Sequence, residues 1–248
     1  GLGDVYKRQI QTIKSWFTFN AQPGAPIHDS LRVANTGGVP LELLLYPVDA
    51  TTGVTSGLVM QNKDAARGGV GKWVQLSSPS IKLAPGETKD IDFTVAIPND
   101  AGAGEHWGGL MAEDTNVRKG SGQFAVDQVM RSGIALGVTL PGPRVEKLTI
   151  KGISEKVVNN LNEVFVIDIA NEGNVMFKPS GQFSLKDASG ATVASQDLKL
   201  DNILAGTSIP YEFFWPKDQL PAGKYAATVT LTTGPGTPPV TFNTPSLD

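Results

Sequence analysis

The sequence predicts an all-β fold, built as two tandem immunoglobulin-like β-sandwich domains. Three observations support this prediction. Gly and Pro contribute 28 and 17 of the 248 residues, a larger share than in an average globular protein. Short runs of alternating apolar and polar residues recur along the chain, whereas few windows after residue 10 show the apolar period of a helix. The turn signals between these runs occur in the same order in both halves of the chain.

The alternating runs predict strands in the first half at 15–21, 29–35, 41–49, 88–97, 108–113 and 123–140. Pairs such as Pro23-Gly24 and Pro85-Gly86 predict the turns between them, because Pro fixes φ and Gly accepts positive φ. The least strand-like segment is 60–71, in which we expect one helical turn at 63–67.

Pro141-Gly142-Pro143 interrupts any strand, and we place the domain boundary there, which gives domains at 10–142 and 143–248. The second half has predicted strands at 145–151, 164–171, 182–186, 192–200, 211–214, 225–231 and 240–243.

The two halves are similar enough to be diverged copies of one unit. An Asn-x-Gly signal closes an apolar strand in each half, and a second turn signal follows, at Pro85-Gly86 and at Ala205-Gly206. We expect these residues to be structural, since Asn and Gly tolerate the left-handed backbone of tight turns. The predicted structural turn residues are Asn35, Gly37, Pro85, Gly86, Asn171 and Gly173.

The N-terminal residues 1–9 are predicted to be a non-native tail. Their segment Asp4-Val5-Tyr6-Lys7-Arg8-Gln9 is the translation of a transposon-end adapter used in sequencing-library preparation. Such a tail is excluded from reasoning about the fold. We therefore expect the coding fragment to be truncated, with any native signal peptide lost.

Composition excludes several classes of chemistry. There is no cysteine, so no disulfide, thiol nucleophile or cysteine zinc site can form, and any imidazole base must be His28 or His106. The net charge of −3 argues against nucleic acid as a partner, because such binding requires clustered basic residues. The spacing of a calcium loop is also absent. We predict no cofactor, no metal and no catalytic residues.

The predicted ligand-binding residues are Trp73, Glu105, His106 and Trp107. The last three stand together among glycines at 102–109, where a carboxylate, an imidazole and an indole adjoin. Exposed indoles stack on ligands, whereas buried ones fill cores, so each Trp has two interpretations. Core packing is favoured for Trp107, and for Trp16 and Trp73 at strand starts, unless several of these rings gather at one end of the domain.

Paired carboxylates raise the alternative of a glycan-cleaving enzyme. Glycosidases hold two carboxyl groups about 5–10 Å apart in a cleft. Glu113 and Asp114 are adjacent, so a strand would direct them to opposite faces, and Asp90 and Asp92 fit a solvated strand face. We therefore predict a protein that is not an enzyme.

An ordered set of segments resembles a known family. The set comprises Phe17-Thr18-Phe19 with Pro23-Gly24, Leu31-Arg32-Val33-Ala34-Asn35, Tyr46-Pro47-Val48-Asp49-Ala50 with Gly53, Trp73, Leu83-Ala84-Pro85-Gly86-Glu87, Ile97-Pro98-Asn99-Asp100-Ala101 and Gly104-Glu105-His106-Trp107-Gly108-Gly109-Leu110. Over residues 16–140 it resembles the peptidoglycan-binding domain of WxL-interacting proteins, surface proteins of Gram-positive bacteria. Residues 144–245 are similar to the immunoglobulin-like domain that follows in that family.

The resemblance implies a non-enzymatic binding module, extracellular at the cell surface or cell wall, that binds peptidoglycan or another wall polymer. It also implies a second surface protein of the WxL type, or a host protein, as partner. The family's membrane anchor is expected to be lost by C-terminal truncation, because the longest apolar run after Gly133 is only 134–140. The alternative is an interaction scaffold that pairs through exposed strand edges without wall binding, with the strand at 123–140 as the pairing edge.

Overall fold

The structure is a computed structural model that describes residues 9–12, 16–117, 128–157, 162–216 and 223–247. The chain divides into two compact units, one from Gly1–Ala50 and Met60–Gly142, the other from Thr51–Val59 and Pro143–Asp248. The domain limits given above, 10–142 and 143–248, stay a prediction. Of the expected non-native tail, residues 1–8 lie outside the described residues.

The first unit is a sandwich of two sheets. From the N-terminus its elements are β1 (Ile10–Thr12), β2 (Trp16–Asn20), β3 (Pro26–Asn35), β4 (Leu41–Thr52), β5 (Leu58–Met60), α1 (Val70–Trp73), β6 (Val74–Leu76), β7 (Ser80–Leu83), β8 (Thr88–Ala96), β9 (Gly104–Asp114) and β10 (Arg131–Leu140). One sheet has four strands in the order β1-β3-β8-β6. The other has six, in the order β2-β10-β9-β4-β5, with β7 also paired to β4. Of this sheet, residues 51–52 of β4 and 58–59 of β5 belong to the second unit.

The second unit also contains two sheets. Its strands are β11 (Leu148–Val157), β12 (Asn162–Asn171), β13 (Ser180–Lys186), β14 (Thr192–Lys199), β15 (Ser208–Pro216), β16 (Tyr225–Thr232) and β17 (Val240–Leu247). They form a three-stranded sheet, β11-β12-β15, and a four-stranded sheet, β14-β13-β16-β17. The prediction of an all-β fold with two tandem sandwiches is confirmed.

Alternation of residue types places the core between the sheets. In β8, Ile91, Phe93 and Val95 are buried, while the intervening Asp90 and Asp92 are exposed. A strand sends successive side chains to opposite faces, so such a sequence buries one face and leaves the other in water. Each unit has its own core, with Leu31, Leu43 and Leu136 in the first and Phe165, Phe183 and Ile167 in the second.

Two local predictions differ from the structure. The strand expected at 123–140 begins only at Arg131, and residues 118–127 lie outside the described part of the chain. The helical turn expected at 63–67 is a non-helical turn, and the helix is α1, at Val70–Trp73. A tertiary contact accounts for this shift, because the Asp49 carboxylate accepts the backbone N–H groups of Gly68, Gly69 and Gly71 at 2.7, 3.0 and 2.6 Å.

The repeated turn signals meet in space at one buried asparagine in each unit. Asn35 donates through Nδ2 to the carbonyls of Val39, Leu83 and Ala84 at 2.8, 3.2 and 3.1 Å, and its Oδ1 accepts the N–H of Gly37 at 3.0 Å. These bonds join the end of β3 to the turn that precedes β8.

The corresponding corner in the second unit has the same pattern. Asn171 donates to the carbonyls of Val175 and Ile203 at 2.8 and 3.0 Å and accepts the N–H of Gly173 at 3.0 Å. Gly206, with φ of +70°, donates its N–H to the Asn171 carbonyl at 3.0 Å. Neither this asparagine nor its counterpart has a positive φ, so their role is hydrogen bonding and not the left-handed geometry expected of them.

Candidate functional site

Strand β9 separates the predicted ligand-binding residues onto two faces of the six-stranded sheet. Because side chains alternate along a strand, Glu105 and Trp107 lie on one face and His106 on the other. We call the face that packs on the four-stranded sheet the inner face, and the opposite one the outer face. The four residues therefore do not form one array around a single end of the domain.

Trp73 and His106 meet on the inner side. Trp73 is the last residue of α1 and is only 7% exposed, within the core of the first unit. Its ring centroid lies 4.9 Å from that of His106, whose Nε2 is 2.8 Å from the Gly102 carbonyl oxygen. The Trp73 indole is therefore packed in the core, and a ligand could reach it only if the core opened.

Two glycines allow α1 to pack this closely. A Cβ on Gly71 would overlap the backbone of Val48, and one on Gly108 would lie 2.6 Å from the Val48 carbonyl and 2.9 Å from the Val70 side chain. Gly71 and Gly108 are therefore needed for close packing in the first unit.

Trp107 lies on the outer face and crosses β10 toward the edge of the sheet. A Cβ on Gly137 would lie 2.7 Å from the Trp107 ring, so this glycine makes room for the indole. The ring meets that of Trp16 edge to face, with centroids 5.5 Å apart and planes at 88°. The Trp107 Nε1–H donates to Glu105 Oε2 over 3.4 Å. Trp107 thus belongs to an aromatic pair on the surface.

Core packing, which the sequence favoured, is wrong for Trp107 and most clearly for Trp16. Core packing was favoured for it at the sequence level, yet its side chain is 48% exposed, among the more exposed large apolar residues of the described chain. Strand parity could have revealed this position, because Phe17 is buried and its neighbours must face the other way.

A second apolar cluster covers part of the same outer face. Tyr46, Val48 and Met111 are buried there, packed with the partly buried Leu44 and Met60. The Tyr46 hydroxyl donates to Glu113 Oε2 at 2.6 Å. Burial, and then this hydrogen bond to a carboxylate, raise the pKa of Tyr46 to about 12. The outer face therefore has two apolar patches. The patch at Tyr46, Val48 and Met111 is buried, and the patch around Trp16 is exposed.

The edge beside this aromatic pair is β2. Its five residues run parallel to β10 from Trp16 to Asn20, and no strand among the described residues pairs with its other side. The Ala21 N–H donates to the Thr139 carbonyl at 3.1 Å. Successive residues of a strand direct their N–H and C=O groups to opposite edges. The peptide groups of Trp16, Thr18 and Asn20 therefore point to the open side.

The strand expected as the pairing edge has a different position. Residues Ala135–Thr139 of β10 lie between β2 and β9, so this part of the strand is interior to the sheet. Sequence reasoning could not find this order, because it depends on the distant β2 pairing in parallel beside β10.

The carboxylates that suggested an enzyme have other partners. Arg32 donates to both oxygens of Asp90, at 2.6 and 2.8 Å, and these hydrogen bonds lower the pKa of Asp90. Asp114 is buried and accepts from the backbone and side-chain N–H groups of Asn116, both at 3.0 Å. Among the described residues, no group of three or more His, Asp or Glu side chains is arranged to hold a metal.

A polar concavity of about 610 Å³ lies across the four-stranded sheet. It includes His28, whose Nδ1 is 3.0 Å from the Thr94 hydroxyl, together with Ser30, Gln75 and Asp92. No sequence motif joins these residues, because they come from three strands that are distant in the chain.

The similarities to known proteins are similarities of fold, at low sequence identity. No family model matches this chain, and no curated protein matches it. The CupB2 chaperone of Pseudomonas aeruginosa is 12% identical over 96% of this chain and 100% of its own, with a TM-score of 0.42. The complex of CsuC with the CsuE tip subunit, from the Csu pili of Acinetobacter baumannii, matches at 13% identity, with 94% and 97% coverage and a TM-score of 0.44. The E. coli chaperone DraB matches at 16%, with 96% coverage of both chains and a TM-score of 0.40.

These findings overturn the family resemblance. The similar solved structures include chaperones of pilus and fimbrial systems, and the assignment to the WxL-interacting family is wrong. Peptidoglycan or another wall polymer as the ligand, the WxL-type or host partner and the Gram-positive source are wrong with it. The prediction of a non-enzymatic protein agrees with this comparison. A location outside the cytoplasm is consistent with it, whereas the cell wall is not confirmed.

The described residues contain no helix long and apolar enough to cross a membrane.

Proposed function

We propose that this chain is a non-enzymatic interaction protein that captures an extended segment of another protein at the open edge of β2. The incoming segment would continue the six-stranded sheet by forming backbone hydrogen bonds with Thr18 and its outward-facing neighbours. Recognition by strand addition draws affinity from main-chain bonds and specificity from alternate side chains.

The observation that carries this proposal is the lack of protection on β2. Edge strands usually carry charges or prolines that prevent pairing with other chains. Three other described edge strands of five or more residues follow this rule, with Lys151 in β11, Asp197 in β14 and Pro210 in β15. The fourth, β17, has a register irregularity where it pairs with Tyr225 and Ala227, and such bulges also protect edges. The described residues of β2, Trp-Phe-Thr-Phe-Asn, include neither a charged residue nor a proline.

The partner is taken to be another protein of the cell envelope. The CsuC chaperone is in complex with a protein subunit in the solved structure named above. The support for the proposal in this chain comes from β2 itself, in which Trp16, Thr18 and Asn20 direct their N–H and C=O groups outward beside an exposed aromatic pair.

A substitution at Thr18 tests the proposal. Thr18→Pro removes one outward-facing N–H while sparing the bonds to β10, since proline is tolerated in an edge strand where its nitrogen faces solvent. Thr18→Val is the matched control, because it keeps the N–H and the β-branched shape. Phage-displayed random decapeptides are selected on the full chain, and their affinities for the three proteins are measured by biolayer interferometry.

We expect the selected peptides to bind the parent and Thr18→Val proteins alike and Thr18→Pro at least about tenfold more weakly, the loss expected for one or two backbone hydrogen bonds. Circular dichroism and the thermal midpoint establish that both variants fold. Peptides that bind the folded Thr18→Pro protein as well as the parent, or a selection that yields no binder, would overturn the proposal.

A further inference from the structure

The outer face beside β2 has an unusual distribution of aromatic and charged groups. Cross-strand register defines three rows that end at this edge: Glu105–Thr139–Asn20, Trp107–Gly137–Thr18 and Gly109–Ala135–Trp16. Glu105 carries the single formal charge of these nine residues. The two Trp residues supply the only aromatic rings of the rows. The surface that a paired segment would meet is therefore aromatic and negative.

The geometry points to a basic side chain as the group that this surface recognises. We infer that the segment captured at β2 carries a Lys or Arg whose charged end lies over the face of the exposed Trp16 ring, on the side of Trp107 and Glu105. This inference rests on the proposed function, because a segment paired with β2 is needed to position the side chain.

The ring arrangement favours a cation. Trp is the best aromatic partner for Lys or Arg when the cation lies within about 6 Å of the ring centroid. Because the two ring planes are at 88°, a cation beside the pair can lie over the negative face of only one ring, since ring edges are positive. The Glu105 carboxylate, bonded to the Trp107 Nε1–H at 3.4 Å, adds negative charge at the same ring.

The reach of the side chain fits the sheet spacing. Strands lie about 4.8 Å apart, so a residue added beside Thr18 stands three strand spacings from the Trp107 backbone and two from Gly137. The Trp107 indole shortens this gap, because it crosses β10 over Gly137 and contacts Trp16. An extended Lys or Arg on the outer face can therefore reach the rings, whereas its neighbours in the segment face the other way.

The peptides selected on the parent protein provide the probe. We expect those whose binding depends on the Thr18 N–H to share a Lys or Arg at one fixed position. Replacing that Lys by norleucine, which keeps the four side-chain carbons and removes the charged ammonium group, should weaken binding about fivefold to thirtyfold. The same replacement at the next residue, which faces away, is the control and should change affinity less than twofold.

A double-mutant cycle assigns the contact. Trp16→Leu keeps an apolar side chain at an exposed site and removes the ring, so on this protein the norleucine replacement should cost little further affinity. Glu105→Gln should reduce the preference for Lys over norleucine and make binding less sensitive to salt.

The outcomes separate the two proposals. Peptides that require the Thr18 N–H but show no basic position, or that bind equally with Lys and norleucine, overturn this inference and leave strand capture in place. Peptides that ignore Thr18→Pro remove both. A Lys preference that survives unchanged in Trp16→Leu places the cation elsewhere and likewise overturns the inference.

Discussion

The buried asparagine at the corner of the second unit permits a quantitative prediction. Asn171 is 1% exposed, and its side chain makes three hydrogen bonds, two donated to the carbonyls of Val175 and Ile203 and one accepted from Gly173. Each bond contributes about 1 kcal/mol net, and the groups left behind stay buried. Asn171→Ala should therefore lower the free energy of unfolding by about 3 kcal/mol.

Urea unfolding, followed by circular dichroism, measures this loss. With a slope of about 2 kcal/mol per molar urea, the midpoint should fall by about 1.5 M. Hydrogen exchange of peptides from β12 and β15 assigns the loss to the second unit. The exposed Asn62→Ala is the control and should change stability by less than about 0.5 kcal/mol.

The corresponding corner of the first unit makes the test stricter. Asn35 has the same bonding pattern, so Asn35→Ala should cost a similar amount. Asn171→Asp should cost more than Asn171→Ala, because a carboxylate would face two carbonyl oxygens without a proton to donate. A loss of less than about 1 kcal/mol in the free energy of unfolding of Asn171→Ala, with an unchanged urea slope, would refute this reasoning. The asparagine hydrogen bonds would then not be what stabilises the corner.

Two further predictions concern the outer face of the first unit. Gly137→Ala should destabilise the protein by about 1–3 kcal/mol, because the added Cβ would lie 2.7 Å from the Trp107 ring. Gly152→Ala is the control and should be tolerated much better, since the nearest atom to its Cβ is 3.5 Å away. Equal thermal midpoints for the two variants would contradict the packing argument. Burial and the Glu113 hydrogen bond raise the pKa of Tyr46 to about 12, above its unfolded value near 10, so its stabilising contribution is complete below pH 10 and disappears as pH rises through 12. Tyr46→Phe should reduce the loss of stability between pH 10 and pH 12 in urea unfolding, and an identical pH profile would count against the raised pKa.

Much of the fold follows from local sequence. The alternation of Ile91, Phe93 and Val95 with polar residues determines which face of β8 is buried, since side chains alternate in every strand. The paired turn signals at residues 35–37 and 85–86, and their counterparts in the second half, were visible because one short pattern occurs twice in the same order. The sequence did not predict the hydrogen bonds by which Asn35 and Asn171 connect these turns, because each joins residues some 30 to 50 positions apart.

The sequence predicted the arrangement of the candidate site only in part. The local pattern selected Glu105 and Trp107, which lie in contact on the outer face, but it grouped them with Trp73 and His106, from which the sheet separates them. Their role in ligand binding stays a prediction. The local pattern also favoured core packing for Trp16, although half of that side chain is in water.

By itself, the sequence determined the all-β class, the alternation of buried and exposed residues and the two-fold repetition of one corner. Each of these depends on residues close together in the chain, where backbone geometry relates composition to structure directly. The tertiary structure decided which strand forms the edge, which indoles reach the surface and where α1 begins. These depend on the parallel pairing of β2 with β10 and on the bonds from Asp49 to residues 68–71. Strand order is set by the sum of long-range pairings, and no local period in the sequence encodes it.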